Sequence, residues 1–272
     1  ALEHKVIPPT IKVERPHPKP RPPSIGQLDD QVCRSLSAAA SGRCLRALKT
    51  VSPGRSQGME RVSREQLEQF AAYGVATVYE AAGRQGLIDI PLIPLIPGTA
   101  VAGPALPAFC GQDDNLMVHA VMERIEPGDV LVLTMPEPAP VALLGELLAT
   151  QAKVRQAAGI LVDGAVRDVA ELRAMGLPIW TRFIRVRGAG KNLVGTVGEP
   201  VTAGGAPIAR GDVVVLDDDG AVVVPRERVD EVLQAAQARV DRENRLREQL
   251  KQGKLSYDLH GLREVVEGRR LG

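Results

Sequence analysis

The sequence contains few of the residues that build disulfide frameworks and zinc sites. Its three cysteines, Cys33, Cys44 and Cys110, are odd in number and form no C-x-x-C pair, and only four of the 272 residues are histidine. This usage is typical of a reducing cytoplasm, so we expect a cytoplasmic protein without zinc. Because imidazole is scarce, oxygen is the expected ligand of any metal ion. No apolar run is long enough to cross a bilayer, and we expect no membrane partner.

Aromatic residues are absent from residues 1–58, which also hold eight of the 21 prolines. This segment carries ten Lys or Arg residues against four Asp or Glu residues, whereas residues 59–272 carry 24 against 29. A basic arm could contact nucleic acid or act as a targeting leader, but its acidic residues argue against a transit peptide, and we expect no nucleic-acid partner. We expect residues 1–58 to be a proline-rich, disordered or non-native extension. Residues 59–272, which begin with the first methionine, are then a single domain.

Helix and strand patterns alternate from Ser63 onward. Ser63 is a typical helix cap, and the segment 74–86 predicts a second short helix. Residues 226–251 predict a long charged helix with an apolar stripe along one face. Apolar and β-branched runs predict strands at 99–109, 129–133, 159–163, 213–216 and 221–224. The stretch DDDGAVVVP at 217–225 indicates an Asp-Gly hairpin rather than a calcium loop, because the spacing of calcium ligands is missing. This order of elements predicts an α/β fold.

The segment GILVDGAVRD at 159–168 runs from a buried strand into the pair Arg167-Asp168. Before it, a helix begins with Gly145 and Glu146, and the free N–H groups of such a helix start can bind a small carboxylate or phosphate. A helix that runs back along its neighbouring strand would bring Glu146 and Asp168 to one cleft. The alternative is a structural pair, in which Asp168 caps the following helix and Arg167 lies at the surface.

Twenty residues separate Glu146 from Arg167, and the stretch GELLATQAKVRQAAGILVDGAVRD resembles the D/E-x20-R-D pattern of the 4-hydroxy-4-methyl-2-oxoglutarate and 4-carboxy-4-hydroxy-2-oxoadipate aldolases. Further blocks resemble that family in the same order: YGVATVYEA, DDNLMVHAVMERIEPGDVLVL, RAMGLPIW and DDDGAVVVP. The likeness extends over about residues 60–265. It implies an α-β-β-α sandwich, with a central sheet layer flanked by helices, similar to the swivelling phosphohistidine-type domain. It also implies a homotrimer or homohexamer.

The resemblance further implies a site for a divalent metal ion, Mg²⁺ or Mn²⁺. Asp168 looks like its direct ligand. Glu146 looks like an acid that holds the ion through water and orients the water that acts as a base. In the family, a glutamate from a neighbouring subunit completes the metal shell; Glu243 is the best match, and Glu248 competes with it.

Other positions are implied to bind a small keto-acid substrate. Arg167 is similar to the arginine that contacts the keto oxygen of pyruvate, so Arg167 and Glu146 are the expected catalytic residues. Backbone amides around Leu147, together with Gly145, would bind the substrate carboxylate. Asn115 looks like a further pocket residue.

The expected function is that of a class II, metal-dependent pyruvate aldolase. It would cleave a hydroxy-oxo diacid to pyruvate plus pyruvate or oxaloacetate, with oxaloacetate decarboxylation as a side activity. Cleavage leaves an enolate on pyruvate, which a divalent ion and a guanidinium stabilise without covalent chemistry. A Schiff-base aldolase needs a lysine in a strand or closed pocket. The lysines beyond residue 58 lie outside the strand runs: Lys153, Lys191, Lys251 and Lys254.

The alternative function is non-catalytic regulation of ribonuclease activity. Regulator of ribonuclease activity A is similar in fold and in the appearance of the VDGAVRD stretch, but it acts through protein contacts. Such a protein does not need Glu146 or Glu243 to complete a metal shell. The acidic residues therefore favour the enzyme.

Overall fold

Helices and strands alternate along residues 61–268, the part of the protein that a computed structural model describes. The predicted extension, residues 1–58, lies outside this part, so its interpretation stays a prediction. The described residues contain seven α-helices: α1 (Arg64–Ala81), α2 (Leu116–Val121), α3 (Glu146–Val154), α4 (Val169–Met175), α5 (Val229–Lys251), α6 (Ser256–Leu259) and α7 (Leu262–Gly268). Short 3-10 turns follow α2 and precede α5. Within this part of the chain, no helix has the length and apolar character that crossing a membrane requires.

Eleven strands accompany these helices between residues 61 and 268. They are β1 (Ile93–Pro94), β2 (Val101–Phe109), β3 (Val130–Thr134), β4 (Ala142–Leu144), β5 (Gly159–Val166), β6 (Ile179–Ile184), β7 (Thr196–Val197), β8 (Val201–Ala203), β9 (Ala206–Ile208), β10 (Val213–Asp217) and β11 (Gly220–Val224). The predicted strands are confirmed as β2, β3, β5, β10 and β11. The predicted helix at 226–251 is confirmed as α5 with the turn before it.

Nine of the strands form one mixed sheet with the order β1-β6-β5-β3-β2-β10-β11. Its centre is parallel, because β2 pairs with β3, β3 with β5, and β5 with β6. The outer strands β1, β10 and β11 are antiparallel to their neighbours. β4 pairs in parallel with the C-terminal end of β5, and β7 pairs with the end of β2. The four central strands therefore end at one edge of the sheet, where α/β proteins commonly bind ligands.

The sheet separates an apolar core on one face from a second core on the other. Along β2, Leu106 faces a core that also contains buried residues of α2, α3 and α4. Ala102 lies on the same side of the strand and contacts the adjoining core of α1 and α5. Ala105 faces the opposite side, where the β8–β9 hairpin covers the sheet with Val201 and Ile208.

The sheet of the described residues is curled, so that Trp180 of β6 donates a hydrogen bond to the carbonyl of Asp217 at the end of β10 across its inner face. Helices α2, α3 and α4 cover the outside of the parallel strands, and α1 and α5 cover the outside of β10 and β11. The mixed α/β class is therefore confirmed, and the expected α-β-β-α sandwich takes the form of a curled sheet with helices outside both halves. The β8–β9 hairpin, which packs against the inner face, was not predicted. Strands β8 and β9 have three residues each, which is too short for an alternating pattern to be recognised in the sequence. The likeness to the swivelling phosphohistidine-type domain stays a prediction.

Helix α1 consists of two helical segments that meet at Gly74. Ser63 caps the first segment in a reciprocal capping box with Gln66. Gly74 leaves the helical conformation, with φ 76° and ψ 165°. The N–H of Val75 then donates to the carboxylate of Asp217 at 2.7 Å, so Asp217 caps the second segment. The two predicted helices are thus confirmed, although the second ends at Ala81.

Asp217 also shapes the hairpin between β10 and β11. It pairs with Gly220 across the hairpin, and its other carboxylate oxygen accepts a hydrogen bond from the N–H of Asp219 at 2.8 Å. The predicted Asp-Gly hairpin is confirmed. One side chain therefore links the tip of the hairpin to α1.

The cap supplied by Asp217 predicts a measurable loss of stability. Asp217→Ala should lower the free energy of unfolding by about 1 kcal/mol, because the N–H of Val75 loses its acceptor. Urea unfolding followed by circular dichroism measures this difference. Asp219→Ala, in the same turn and exposed, is the matched control and should change stability by less than about 0.5 kcal/mol. Equal effects of the two substitutions would contradict the capping role.

Candidate functional site

A cavity of about 210 Å³ lies at the edge where the parallel strands end. Loops that follow β2, β4, β5 and β6 bring its lining residues together. The predicted residues among them are Asn115, Gly145, Leu147, Arg167 and Asp168. Residues 61–268 contain a larger cavity, of about 600 Å³, between the start of α1 and the beginnings of the strands. Its floor is mainly apolar, so the smaller cavity is the better candidate for polar chemistry.

Asp168 adopts a left-handed backbone conformation, with φ 62° and ψ 41°. It lies at the position before α4, but its side chain does not cap that helix. The carboxylate instead accepts a hydrogen bond from the N–H of Glu146, at the start of α3, at 3.1 Å. The interpretation of Asp168 as the cap of its own helix is therefore wrong. A left-handed conformation costs a non-glycine residue roughly 1–2 kcal/mol, and such strain is concentrated at functional sites.

Arg167 extends beside Asp168, with its Nε 3.6 Å from the Asp168 carboxylate. Both side chains are partly exposed at the cavity, at 50% and 40%. Gly145 makes room for them: a Cβ at this position would lie 2.6 Å from Oδ2 of Asp168 and 3.2 Å from Nε of Arg167. Gly188 lies on the other side, where a Cβ would be 3.5 Å from the Arg167 guanidinium. The pair is thus held between two glycines.

The start of α3 forms a further part of the cavity. Glu146 begins the helix, and its N–H is bound by Asp168. The next N–H groups have no acceptor within the helix and carry the positive end of its dipole. Leu147, the second residue of α3, lines the cavity, and its side chain is 78% exposed. The helix start is therefore suited to a carboxylate, as the sequence predicted.

The sequence predicted that the side chain of Glu146 would face the cleft, but this side chain does not line the cavity. Its carboxylate accepts a hydrogen bond from the hydroxyl of Thr150, one turn along α3, at 3.0 Å. In this arrangement Glu146 contributes its backbone N–H to the site.

Asn115 is buried and presents an unused hydrogen-bond acceptor. Its side-chain amide donates to the carbonyl of Leu143 at 3.0 Å, which fixes the orientation of the group. Its Oδ1 is buried and has no partner among residues 61–268. A buried acceptor without a donor is costly. Because Asn115 lines the cavity, a hydroxyl group of a bound ligand, or a water molecule, can supply that donor.

Lys191 and His119 line the cavity but were not predicted from the sequence. Lys191 belongs to the glycine-rich stretch GAGKNLVG, which lacks the spacing of a nucleotide-binding loop. A glycine-rich loop directly after a strand is nevertheless a signal that the backbone approaches a ligand. With Arg167, Lys191 gives the cavity two cationic side chains.

The residues present fit a hydrated magnesium or manganese ion rather than a metal in a protein cage. Within residues 61–268, no three His, Cys, Asp or Glu side chains converge on one point. Asp168 offers a carboxylate at the cavity, and Asn115 offers an unused oxygen. Magnesium typically binds one or two carboxylates and keeps several waters. Glu243 does not line this cavity; it lies on α5, 2.8 Å from Arg239. Its predicted role belongs to a neighbouring subunit and stays a prediction.

Comparisons with known proteins point to one family. A family model described as RraA-like, Aldolase/RraA, matches residues 75–223, which include Asn115, Gly145, Arg167 and Lys191. A protein of Halalkalibacterium halodurans named "Putative 4-hydroxy-4-methyl-2-oxoglutarate aldolase" is 31% identical over 178 residues, which cover 65% of this chain and 85% of that protein.

Solved structures agree with this family. Streptomyces coelicolor RraAS2, described as an unusual member of the RNase ES inhibitor RraA protein family, matches with a TM-score of 0.63 and 32% identity. The match covers 70% of this chain and 99% of that one. An uncharacterized protein from Pseudomonas syringae pv. tomato matches with a TM-score of 0.64, over 72% of this chain and 96% of that one; at 22% identity it supports the fold alone.

The family model spans 149 of the 272 residues and includes the whole Glu146–Asp168 stretch on which the sequence resemblance was based. The chain therefore belongs to the RraA-like family, Aldolase/RraA.

Proposed function

We propose that the protein is a lyase that cleaves a hydroxy-oxo acid with two or three carboxylates, 4-hydroxy-4-methyl-2-oxoglutarate or 4-carboxy-4-hydroxy-2-oxoadipate, and releases pyruvate. The observation that carries the proposal is the placement of Arg167 and Asp168 beside the start of α3, in one small polar cavity. The name of the Halalkalibacterium halodurans relative supports the same reaction. The second product is pyruvate from the first substrate and oxaloacetate from the second.

The cavity offers separate partners for the polar groups of such a substrate. Free N–H groups at the start of α3 receive the carboxylate next to the keto group. The guanidinium of Arg167 donates to the keto oxygen, and the oxygen of Asn115 accepts from the substrate hydroxyl or from a water. Lys191, across the cavity, pairs with the second carboxylate. The two negative charges of 4-hydroxy-4-methyl-2-oxoglutarate thus meet two cationic side chains and a helix start; 4-carboxy-4-hydroxy-2-oxoadipate carries a third carboxylate.

The reaction breaks the bond between C3 and C4 of the substrate. The hydroxyl on C4 gives its proton to a water molecule, the base that Glu146 is expected to orient, and becomes a carbonyl, while the bonding electrons pass to C3 and then to the keto oxygen. The resulting enolate of pyruvate takes a proton at C3. Arg167 lowers the barrier because its positive charge lies where the negative charge develops.

A bound divalent ion, Mg²⁺ or Mn²⁺, would act as a Lewis acid toward the keto oxygen. Asp168 would hold it directly, Glu146 through water, and Glu243 of a neighbouring subunit would complete its shell. Glu146 reaches this role only by leaving its hydrogen bond with Thr150.

We also propose that the site is completed in a homotrimer or homohexamer. Three apolar residues near the site are largely exposed: Leu147 at the cavity (78%), and Val186 (87%) and Val194 (82%) in the loop after β6. Apolar side chains with this exposure around a polar site support burial by a second copy of the chain.

The same surface also suits the second candidate function, inhibition of an RNA-degrading enzyme through protein contacts. The likeness to RraAS2 at 32% identity favours that candidate.

The first prediction for the proposed reaction concerns Arg167. Arg167→Ala should lower kcat for release of pyruvate about 10²- to 10³-fold, because one donor to the developing charge is lost. Pyruvate is measured with lactate dehydrogenase and NADH. Arg185→Ala is the control: this exposed arginine follows the adjacent strand β6, its guanidinium donates to the carbonyl of Ile184, and the variant should retain activity. A folded wild-type protein that releases no pyruvate, but retains an RNA-degrading enzyme from a lysate, would favour the second function.

Removal of divalent ions is predicted to abolish the activity. After treatment with EDTA and gel filtration, pyruvate release should fall to background, and Mg²⁺ or Mn²⁺ should restore it. Asp168→Asn should need much more metal to reach half-maximal rate, since it loses the charged ligand. Activity that is indifferent to EDTA would contradict the role of Asp168 as a metal ligand.

A third prediction concerns the space at Gly145. Gly145→Ala should lower kcat about 100-fold, because its Cβ would lie 2.6 Å from the Asp168 carboxylate and displace it. Gly188→Ala adds the same methyl group at an ordinary contact distance of 3.5 Å and should lose far less. Similar losses in the two variants would show that the Asp168 position does not limit the rate.

A further inference from the structure

Asp114 is a buried carboxylate that is bound entirely by backbone N–H groups. Its side chain accepts hydrogen bonds from Leu116 at 2.8 Å, Asn192 at 2.6 Å and Leu193 at 3.2 Å. The residue is 2% exposed. Leu116 starts α2, whereas the other two donors belong to the loop that follows β6. One carboxylate therefore bridges two segments that are more than 70 residues apart in the sequence.

Backbone hydrogen bonds join the same two segments. The N–H of Asn115 donates to the carbonyl of Gly190 at 2.9 Å, and the N–H of Gly190 donates to the carbonyl of Asp113 at 2.8 Å. Gly190 has to be a glycine for this approach, since a Cβ there would lie 2.8 Å from Oδ2 of Asp114. The loop is thus fixed at Gly190, Asn192 and Leu193.

The pKa of Asp114 is lowered although the side chain is buried. Burial by itself would raise the pKa of the carboxyl group, but the three backbone donors and the nearby Lys191 together lower it below its usual value. Lys191 lies between the anchored residues Gly190 and Asn192, and it lines the cavity. Asn115, the residue that follows Asp114, also lines the cavity.

We propose that Asp114 is a positioning residue that holds the loop 188–193 against α2 and thereby determines where Lys191 meets the second carboxylate of the substrate. The inference that Asp114 anchors the loop depends only on the contacts described above. The link from Lys191 to the substrate depends on the proposed function. Asp114 itself does not line the cavity. Its effect on the substrate is therefore transmitted through Lys191.

The test compares Asp114→Asn with Asp113→Asn. The two substitutions are chemically identical and adjacent, but the Asp113 carboxylate is partly exposed and makes an ion pair with Arg187 at 3.3 Å. Asp114→Asn removes the negative charge and replaces one of the two acceptor oxygens by an NH₂ group, which would face a backbone N–H donor. Amide hydrogen exchange of the substrate-free protein should then show protection at Asn192 and Leu193 reduced at least about 10-fold, as expected for lost hydrogen bonds to a charged group. Protection in β3 and β5 should be retained.

Kinetics of the diacid substrate supply the second readout. Asp114→Asn should raise KM about 10-fold while kcat changes by less than about threefold, because substrate binding rather than charge development is affected. Lys191→Met should raise KM to a similar extent, and the double variant should be no worse than Lys191→Met alone, because both act at one contact. Asp113→Asn should leave KM unchanged.

Each outcome decides one part of the proposal. Unchanged exchange at Asn192 and Leu193 would overturn the anchor, as would a uniform loss of protection that includes β3 and β5. Lost protection with additive effects of Asp114→Asn and Lys191→Met on KM would overturn the link to Lys191. If the wild-type protein releases no pyruvate, the proposed function fails, while the exchange result still decides whether Asp114 anchors the loop. Should Asp114→Asn not fold, Gly190→Ala displaces the same loop from the other side and should produce the same local loss of protection.

Discussion

The hydrogen bond from the backbone N–H of Glu146 to the carboxylate of Asp168 joins the two elements on which the site depends. It ties the end of β5 to the start of α3, and Arg167 lies next to it in the sequence. A backbone hydrogen bond from the N–H of Arg167 to the carbonyl of Leu144, at 3.1 Å, joins the same two segments, so the two contacts together fix the separation of the guanidinium from the free N–H groups of α3. The left-handed backbone at Asp168 and the absence of a side chain at Gly145 are both requirements of the first of these contacts. The strain at Asp168 is tolerated because the buried strand β5 and helix α4 hold the residue from both sides.

The topology explains why residues distant in sequence meet here. Four parallel strands end at one edge, and the segments after three of them, β2, β5 and β6, contribute different groups: an amide oxygen from Asn115, a guanidinium from Arg167 and an ammonium from Lys191. The helix start at Gly145 adds backbone N–H groups beside them. A cavity built in this way can change its preference for substrates through one loop while the sheet stays the same. The family accordingly contains members with names that describe aldolases and others that describe inhibitors of ribonucleases.

Local patterns in the sequence predicted much of this arrangement. The capping signal at Ser63, the apolar runs of the central strands and the Asp-Gly hairpin depend on neighbouring residues, and all three are confirmed. Features that depend on distant contacts were missed. Strand β6 was not recognised because Arg182 interrupts its apolar pattern. The Arg182 side chain is paired with the buried carboxylate of Asp163 at 3.0 Å. Burial raises the pKa of Asp163, and Arg182 opposes this effect. Likewise, Asp168 has the sequence position of a helix cap, and only the approach of α3 redirects its carboxylate. The glycine-rich stretch around Lys191 marks a loop but does not show that the lysine lines the cavity, because that loop is bound by Asp114, a residue 77 positions earlier in the chain.

The central claim is that a small keto acid binds with its carboxylate at the start of α3 and its keto oxygen at Arg167, next to a cation on Asp168. A crystal structure of the protein with pyruvate and Mn²⁺ tests this most directly, because anomalous scattering locates the metal independently of the ligand. We predict a manganese peak bonded to Asp168 and pyruvate bridging Arg167 and the N–H of Leu147. Pyruvate bound elsewhere, or a metal peak away from Asp168, would contradict the account.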